Sequence, residues 1–250
     1  MKKLATALVS AAAIMTMSTT AFAAENPAEV FDRVMEKNNT IQSAEIQSGV
    51  HSVILAKDVI PDGQMKVDMA MHAEMDMQDT TDLKYLAQVA SSILGQDSYS
   101  QVFYTDGYYY VDANGVKLKY PMPLEQIISS VQTGVNTSNM ESSYMKGISL
   151  NEVNGKRVLA YEANPKKLNK NVKEALGTVM NTLGTDINLD MNIQEMKGAY
   201  VLDDNDYIIY MTNYIVYNME VLDQPMTCIT LMETEVQNPG EPVGVTLPST

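Results

Sequence analysis

The sequence holds one cysteine, Cys228, two histidines, His51 and His72, and no tryptophan. One thiol makes no internal disulfide, so a chain of this length has to stand on its apolar core. Two imidazoles and one thiol leave little material for a zinc site or for a nucleophile–base pair. No G-x-S-x-G, P-loop or H-E-x-x-H occurs. Positive charge is scarce too: 17 Lys and Arg stand against 31 Asp and Glu, a net charge of −14. Such a surface repels phosphate backbones and anionic headgroups, which argues against nucleic-acid binding and against docking through a basic patch. These shortages argue against an enzyme, and they imply no cofactor and no metal.

Long hydrophobic runs are absent except at the start. Lys2 and Lys3 precede an apolar stretch from Leu4 to Met17, followed by a small-residue exit ending Ala21-Phe22-Ala23. A charged beginning, an apolar middle too short to span a bilayer and an A-x-A exit read as a signal peptide over 1–23, cut after Ala23. Beyond it no segment is long enough to cross a membrane, and Cys228 lies far from the cleavage site where a lipid anchor would need it. The expected product is a soluble, secreted or extracytoplasmic protein, periplasmic where the host has an outer membrane. With no proline- or serine-rich linker and no fixed-period repeat, residues 24–250 read as a single domain.

What the chain has in quantity is period-two alternation. From Met65 to Met77 every odd position is apolar (Met65, Val67, Met69, Met71, Ala73, Met75, Met77), whereas the even ones include Lys66, Asp68, His72, Glu74 and Asp76. In a strand this puts one face in a dry environment and the other in water. A second alternation runs through Ile187, Leu189, Met191 and Ile193, and a third from Tyr207 to Val221. Asp62-Gly63, Asp106-Gly107, Asn114-Gly115 and Asn154-Gly155 supply turn pairs that tolerate positive φ. Tyr99 to Tyr120 therefore predicts a three-stranded meander, and Lys156 to Ala163 a strand paired back on Gly147 to Val153. The acidic run Asp203-Asp204-Asn205-Asp206 lacks the glycine and later glutamate of a calcium loop and reads as a hairpin turn.

Four segments carry helical signals. Asn26-Pro27 and Asn164-Pro165 each set a capping side chain before a proline at the first helical position. The first opens a helix with Val30, Phe31, Val34 and Met35 on one face; the second runs through Leu168, Val172, Leu176, Val179 and Leu183 to Gly184. Leu83, Leu86, Ala87, Ala90, Ile93 and Leu94 follow helical spacing up to Gly95, and Pro123 opens a shorter helix to Gly134. The expected fold is α+β: a large curved antiparallel sheet, an open half-barrel, with helices packed on its concave face.

An amino-terminal helix straight after a secretion signal, followed by long strands, resembles the LolA/LppX-like superfamily of exported bacterial lipid and lipoprotein carriers, in an uncharacterised secreted branch. The likeness is carried by Asn26 to Lys37, by Ile41 to Leu55, by V-F-Y-T-D-G-Y-Y-Y-V-D-A-N-G-V-K-L-K-Y over Val102 to Tyr120, and by the closing strands from Gly198 to Glu235. It implies an unclosed barrel with helices over its mouth and a hydrophobic ligand, an acyl chain or lipid, in the space between.

The methionine stripe has two readings. Methionine is unbranched and adaptable, so a row of it either fills a core under helices or moulds itself to varied apolar ligands. On the ligand reading the wall is Met65, Val67, Met69, Met71, Met75 and Met77, with Leu86 from the helix over 81–94 and with Ile187, Leu189 and Met191 from the later strand. Paired thioethers at Met69-x-Met71 and Met75-x-Met77 would suit Cu(I), but His72 alternates to the opposite face and cannot join them. The tyrosine clusters at 104–120 and 207–217 read first as strand formers and second as a surface for a sugar or a protein partner. Two functions remain: a binding protein that shelters an apolar ligand between sheet and helices, and a ligandless envelope protein with a filled core and a protein partner.

Overall fold

A computed structural model of the chain describes residues 25–56, 60, 62–79, 83–123, 140–170, 191–221 and 224–248. Helix α1 spans Pro27–Asn38. The Asn26 side chain accepts from the Ala28 N–H at 3.1 Å, and Pro27 occupies a position whose N–H needs no partner. Glu29 in the first turn and Lys37 in the last oppose the helix dipole with the favourable signs. Val30, Phe31, Val34 and Met35 share one face and are buried, as their spacing predicts.

Eleven strands follow: β1 (Ser43–Leu55), β2 (Gln64–Asp76), β3 (Lys84–Ile93), β4 (Gln96–Thr105), β5 (Tyr108–Ala113), β6 (Val116–Pro121), β7 (Met145–Val153), β8 (Lys156–Ala163), β9 (Met191–Leu202), β10 (Ile208–Val221) and β11 (Gln224–Gln237). All pair antiparallel in one sheet of order β6-β5-β4-β3-β2-β1-β11-β10-β9-β8-β7. The sheet is an unclosed half-barrel, with β6 and β7 at its two edges. Strands of 13 or 14 residues in β1, β2, β10 and β11 are about twice the usual length. Four hairpins turn on residues in the left-handed region: Leu94-Gly95 (φ 53° and 77°), Asp106-Gly107 (54° and 78°), Asn114-Gly115 (50° and 85°) and Asn154-Gly155 (53° and 74°). Two successive positive φ values are what a two-residue turn needs to match the twist of its strands.

The helix expected over 81–94 is not there. Residues 84–93 form β3, paired to β2 from Val67 opposite Ile93 to Asp76 opposite Lys84, and to β4 from Tyr85 opposite Tyr104 to Ile93 opposite Gln96. Both sides of β3 carry apolar residues, and such a run satisfies helical spacing by accident; pairing along both edges decides for the strand. The helix opened by Asn164-Pro165 begins as expected, with the Asn164 Oδ1 accepting from the Lys166 N–H at 3.1 Å, and is helical over 165–170. The rest of that helix, the one opened by Pro123, and the expected signal peptide lie outside the described residues.

Directly opposite residues of neighbouring strands point to the same side, so the register sorts the sheet into two faces. Helix α1 lies on one of them, where Phe31 meets Tyr161 edge-on at 5.8 Å and packs with Tyr200. Leu159, Leu202 and Ile208 complete this core, with Met196 and Met211 at its margin. Each of the four α1 anchors contributes about 1.5–3 kcal/mol by leaving water. A second cluster lies further along the same face, where Met75, Met77, Leu83 and Tyr104 are buried together.

Candidate functional site

The helix-bearing face is largely apolar. Starting at β2, Met75 stands opposite Ala44 of β1 and Tyr85 of β3, and Met71 opposite Ser48 and Val89. Met69 stands opposite Val50 and Ser91. The row continues through Tyr104, Tyr109 and Tyr120 to the β6 edge. In the other direction it passes through Val236, Thr234, Met232 and Cys228 of β11 to Met211, Ile215 and Tyr217 of β10. No Asp, Glu, Lys, Arg or His from β1–β6 or β9–β11 falls on this side by register. Among the described strand residues, the only charged side chains on it are Arg157 of β8 and Glu152 of β7, opposite one another at the far end. The charges stand on the other face, among them Glu45, Lys66, Asp68, Glu74, Glu233 and Glu235.

Burial along the methionine stripe is graded. Met75 and Met77 are 3% and 6% exposed, whereas Met71 and Met69 reach 37% and 40%. Ile93 of β3 is 43% exposed, and Val116 and Leu118 of β6 are exposed on the same side. The lower stripe is therefore core, and its middle opens into a broad apolar surface that reaches the β6 edge. Exposed apolar residues grouped on one face make it a candidate binding surface.

Other candidates fall elsewhere. Leu86 lies opposite Glu74 and Phe103, so it belongs to the outer face and is buried there. It is not on the methionine side, because the strand that replaces the expected helix alternates. Met191 begins β9 opposite Met219 on the methionine side, and Ile187 and Leu189 lie outside the described residues. His72 sits on the outer face with its Nε2 3.1 Å from Glu74, and the His51 Nδ1 is 2.6 Å from Asp68 on the same side. Cys228 is buried on the methionine side, its Sγ 3.6 Å from the Met219 Sδ. Burial pushes this thiol up from its ordinary value, away from the reactive thiolate. Among the described residues no three His, Cys, Asp or Glu converge to hold a metal, and no helix is long and apolar enough to cross a membrane.

A cleft of about 680 Å³ lies between α1 and a single 3-10 turn, Ser142–Tyr144, lined by Asp32, Met35, Glu36, Asn39, Met140 and Glu141. Asp32 accepts from the Ser142 N–H at 2.7 Å and from its hydroxyl at 2.6 Å. With three carboxylates in its lining the cleft suits an apolar ligand poorly, and the open methionine surface is the stronger site.

One electrostatic feature escapes sequence reasoning. The acidic run at 203–206 is the β9–β10 hairpin turn, closed by Asp203, whose carboxylate accepts from the Asn205 and Tyr207 N–H groups at 2.9 and 2.8 Å. Asp206 within it receives Arg33 of α1 at 2.9 Å and Arg157 of β8, and both arginines also reach Glu25. Partial burial alone would raise the Asp206 carboxyl, but the hydrogen bonds and charges of the two arginines together outweigh it and hold it below its ordinary range. The network clamps α1 onto the sheet and absorbs Arg157.

Among curated proteins none is similar to this chain. Solved structures similar to it include LprF from Mycobacterium bovis, at 10% identity, a TM-score of 0.37, and coverage of 90% of this chain and 97% of that one. The lipoprotein LppX from Mycobacterium tuberculosis is 9% identical with a TM-score of 0.37, over 89% of this chain and all of LppX. The ywiB protein from Bacillus subtilis is 11% identical with a TM-score of 0.25, over 80% and 96%. The model of a family of unknown function, DUF6612, matches residues 26–249, and the chain belongs to that family.

Proposed function

We propose that this protein is an extracytoplasmic binding protein that shelters an apolar ligand, an acyl chain or lipid, against the methionine-bearing face of its sheet. The observation that carries this reading is the exposure of Met69 and Met71 in the middle of a face on which β1 to β6 place no charged side chain. A side chain meant only for core would be covered as Met75 is. The proposed wall is Met65, Val67, Met69 and Met71 of β2, with Val89 and Ile93 of β3 beside them and Met191 on the other arm. Thioethers on unbranched stems adapt to chains of differing shape, which suits a carrier more than a catalyst. The lipid carriers implied by the sequence resemblance support the same ligand class, and the charged start of the chain supports export.

The test is native mass spectrometry of the exported protein, followed by organic extraction and analysis of what is released. Adducts of lipid mass that leave on extraction and rebind stoichiometrically are the expected result. A clean apoprotein that takes up neither added acylglycerol nor fatty acid would overturn the reading. It would favour a ligandless envelope protein, the reading that the buried lower end of the stripe supports by itself.

A further inference from the structure

We infer that Met69 and Met71 form an oxidation site, and that peroxide, by turning these two thioethers into sulfoxides, closes the methionine face to apolar ligands while leaving the fold intact. The closing of the face rests on the binding role proposed above; the site itself does not. Among the described methionines these two alone are exposed, at 40% and 37%, whereas Met75 and Met77 of the same strand lie in a buried cluster. An oxidant arriving from solvent therefore meets the first pair and is kept from the second. No thiol competes for it: the single cysteine, Cys228, is buried and held in its unreactive protonated form. The step is a two-electron oxygen transfer. The thioether sulfur attacks one oxygen of hydrogen peroxide, the O–O bond breaks, and the departing hydroxide takes the proton of the transferred oxygen and leaves as water. Sulfur is oxidised, peroxide is reduced, and no further reactant is needed.

The product alters the floor at its middle. Met69 stands opposite Val50 and Ser91, and Met71 opposite Ser48 and Val89, so two sulfoxides would set strong acceptors in the centre of the proposed wall. Ser91 pairs with Ser98 at 2.7 Å, a bond that uses one of two hydroxyl protons, and the other can be donated to a sulfoxide oxygen on Met69. Water reaches both positions as well, so the oxidised floor is satisfied in the folded protein. An apolar ligand laid across it would have to strip those partners away. The same change at Met75 or Met77 would put an unpaired acceptor among Leu83 and Tyr104 and unfold that end of the sheet. The gradient of burial along one strand thus separates a reversible modification from damage.

Titration of the delipidated, exported protein with hydrogen peroxide tests this, with each methionine followed by peptide mass mapping. Met69 and Met71 should oxidise at least about tenfold faster than Met75 and Met77, with circular dichroism unchanged at that stage. Uptake of the uncharged fluorophore N-phenyl-1-naphthylamine should then fall at least about tenfold, and should return after treatment with methionine sulfoxide reductases A and B, which between them reduce both sulfoxide epimers. The double variant Met69→Leu, Met71→Leu, whatever its own affinity for the fluorophore, should keep that affinity through the same treatment. Oxidation of Met75 and Met77 as fast as that of Met69 and Met71 would overturn the site. Uptake that survives oxidation of both, or that is lost equally in the double variant, would overturn the closing of the face and leave the carrier role standing. A reduced parent that takes up no fluorophore would remove the carrier role and the closing with it, whereas the order of oxidation decides the site by itself.

Discussion

The hydroxyl of Tyr161 donates to the Asn213 Oδ1 across the Cα of Gly198, deep under Phe31. Three strands, β8, β9 and β10, are locked at this point. A Cβ on residue 198 would lie 2.6 Å from the Asn213 Oδ1 and 2.8 Å from the Tyr161 hydroxyl, and would collide with the Thr212 carbonyl oxygen. Gly198→Ala should therefore cost about 1–3 kcal/mol or more, since the backbone oxygen cannot step aside. A melting temperature lowered by several degrees is expected, and an unchanged one would show that the strands are not this close. Tyr161→Phe should cost about 1–3 kcal/mol by leaving a buried oxygen unpaired.

The two ends of the methionine stripe should answer differently to the same charge. Met75→Glu buries a carboxylate with no cation beside it among Met77, Leu83 and Tyr104, and should cost about 3–5 kcal/mol. Met71→Glu faces partly into solvent and should cost about 1 kcal/mol or less, while abolishing uptake of an apolar ligand. Circular dichroism and a lipid-binding assay on both variants separate core from site. Equal unfolding by both would make the whole stripe core.

Acid should loosen the clamp at the start of α1. The folded pKa of Asp206 lies below its ordinary 3.8, so its contribution to stability is fully present above that value and is lost as pH falls through the folded pKa. Asp206→Asn should cost about 1–2 kcal/mol at neutral pH, less than a fully buried pair would, because Arg33 is 49% exposed. Denaturant titrations at descending pH should show the variant losing less stability than the parent; parallel curves would mean that Asp206 is not the group responsible.

Alkali acts on the buried tyrosines with the opposite sign. Burial pushes Tyr200 up to about 12 and Tyr161 well above its ordinary 10. The folded state keeps both neutral while the unfolded chain ionises, so their contribution is full below about 10 and is lost as pH rises toward the folded values. Tyrosinate absorbance followed alongside circular dichroism should show a late group of tyrosines ionising only as the sheet unfolds. Ionisation of every tyrosine in one early step, with the fold intact, would contradict their burial.

Much of this architecture was legible because its signals are local. Asn26-Pro27 announces α1, and the Asx-Gly pairs announce three hairpins by backbone chemistry that operates within four residues. The alternation from Met65 to Met77 sorts β2 into its two faces with no outside help. Strand β3 was misread because Leu86 and Ala90 put apolar bulk on its outer face while Ala87 and Val89 supply the inner one. A two-sided apolar run carries no period, and only its neighbours fix it. The cue available was Leu94-Gly95, a turn with φ of 53° and 77°, but leucine in the left-handed region gives no warning. The open middle of the stripe was beyond reach as well, since alternation gives the side a residue faces and not what covers it. Arg33 and Asp206 are 173 positions apart, and nothing in either neighbourhood names the other.

Only one neighbouring pair in the sheet joins strands that are not consecutive in the chain, β1 with β11, running from Glu45 opposite Gln237 to Leu55 opposite Thr227. Topologically the sheet is a circular permutant of a plain up-and-down meander, with its first and last strands paired at its middle. Each arm, β1 to β6 and β7 to β11, is made of local pairings that form quickly, whereas the seam must wait for segments separated by most of the chain. The apolar floor is continuous only once that seam has closed, and a chain cut short before β11 would leave two half-floors with nothing to join them.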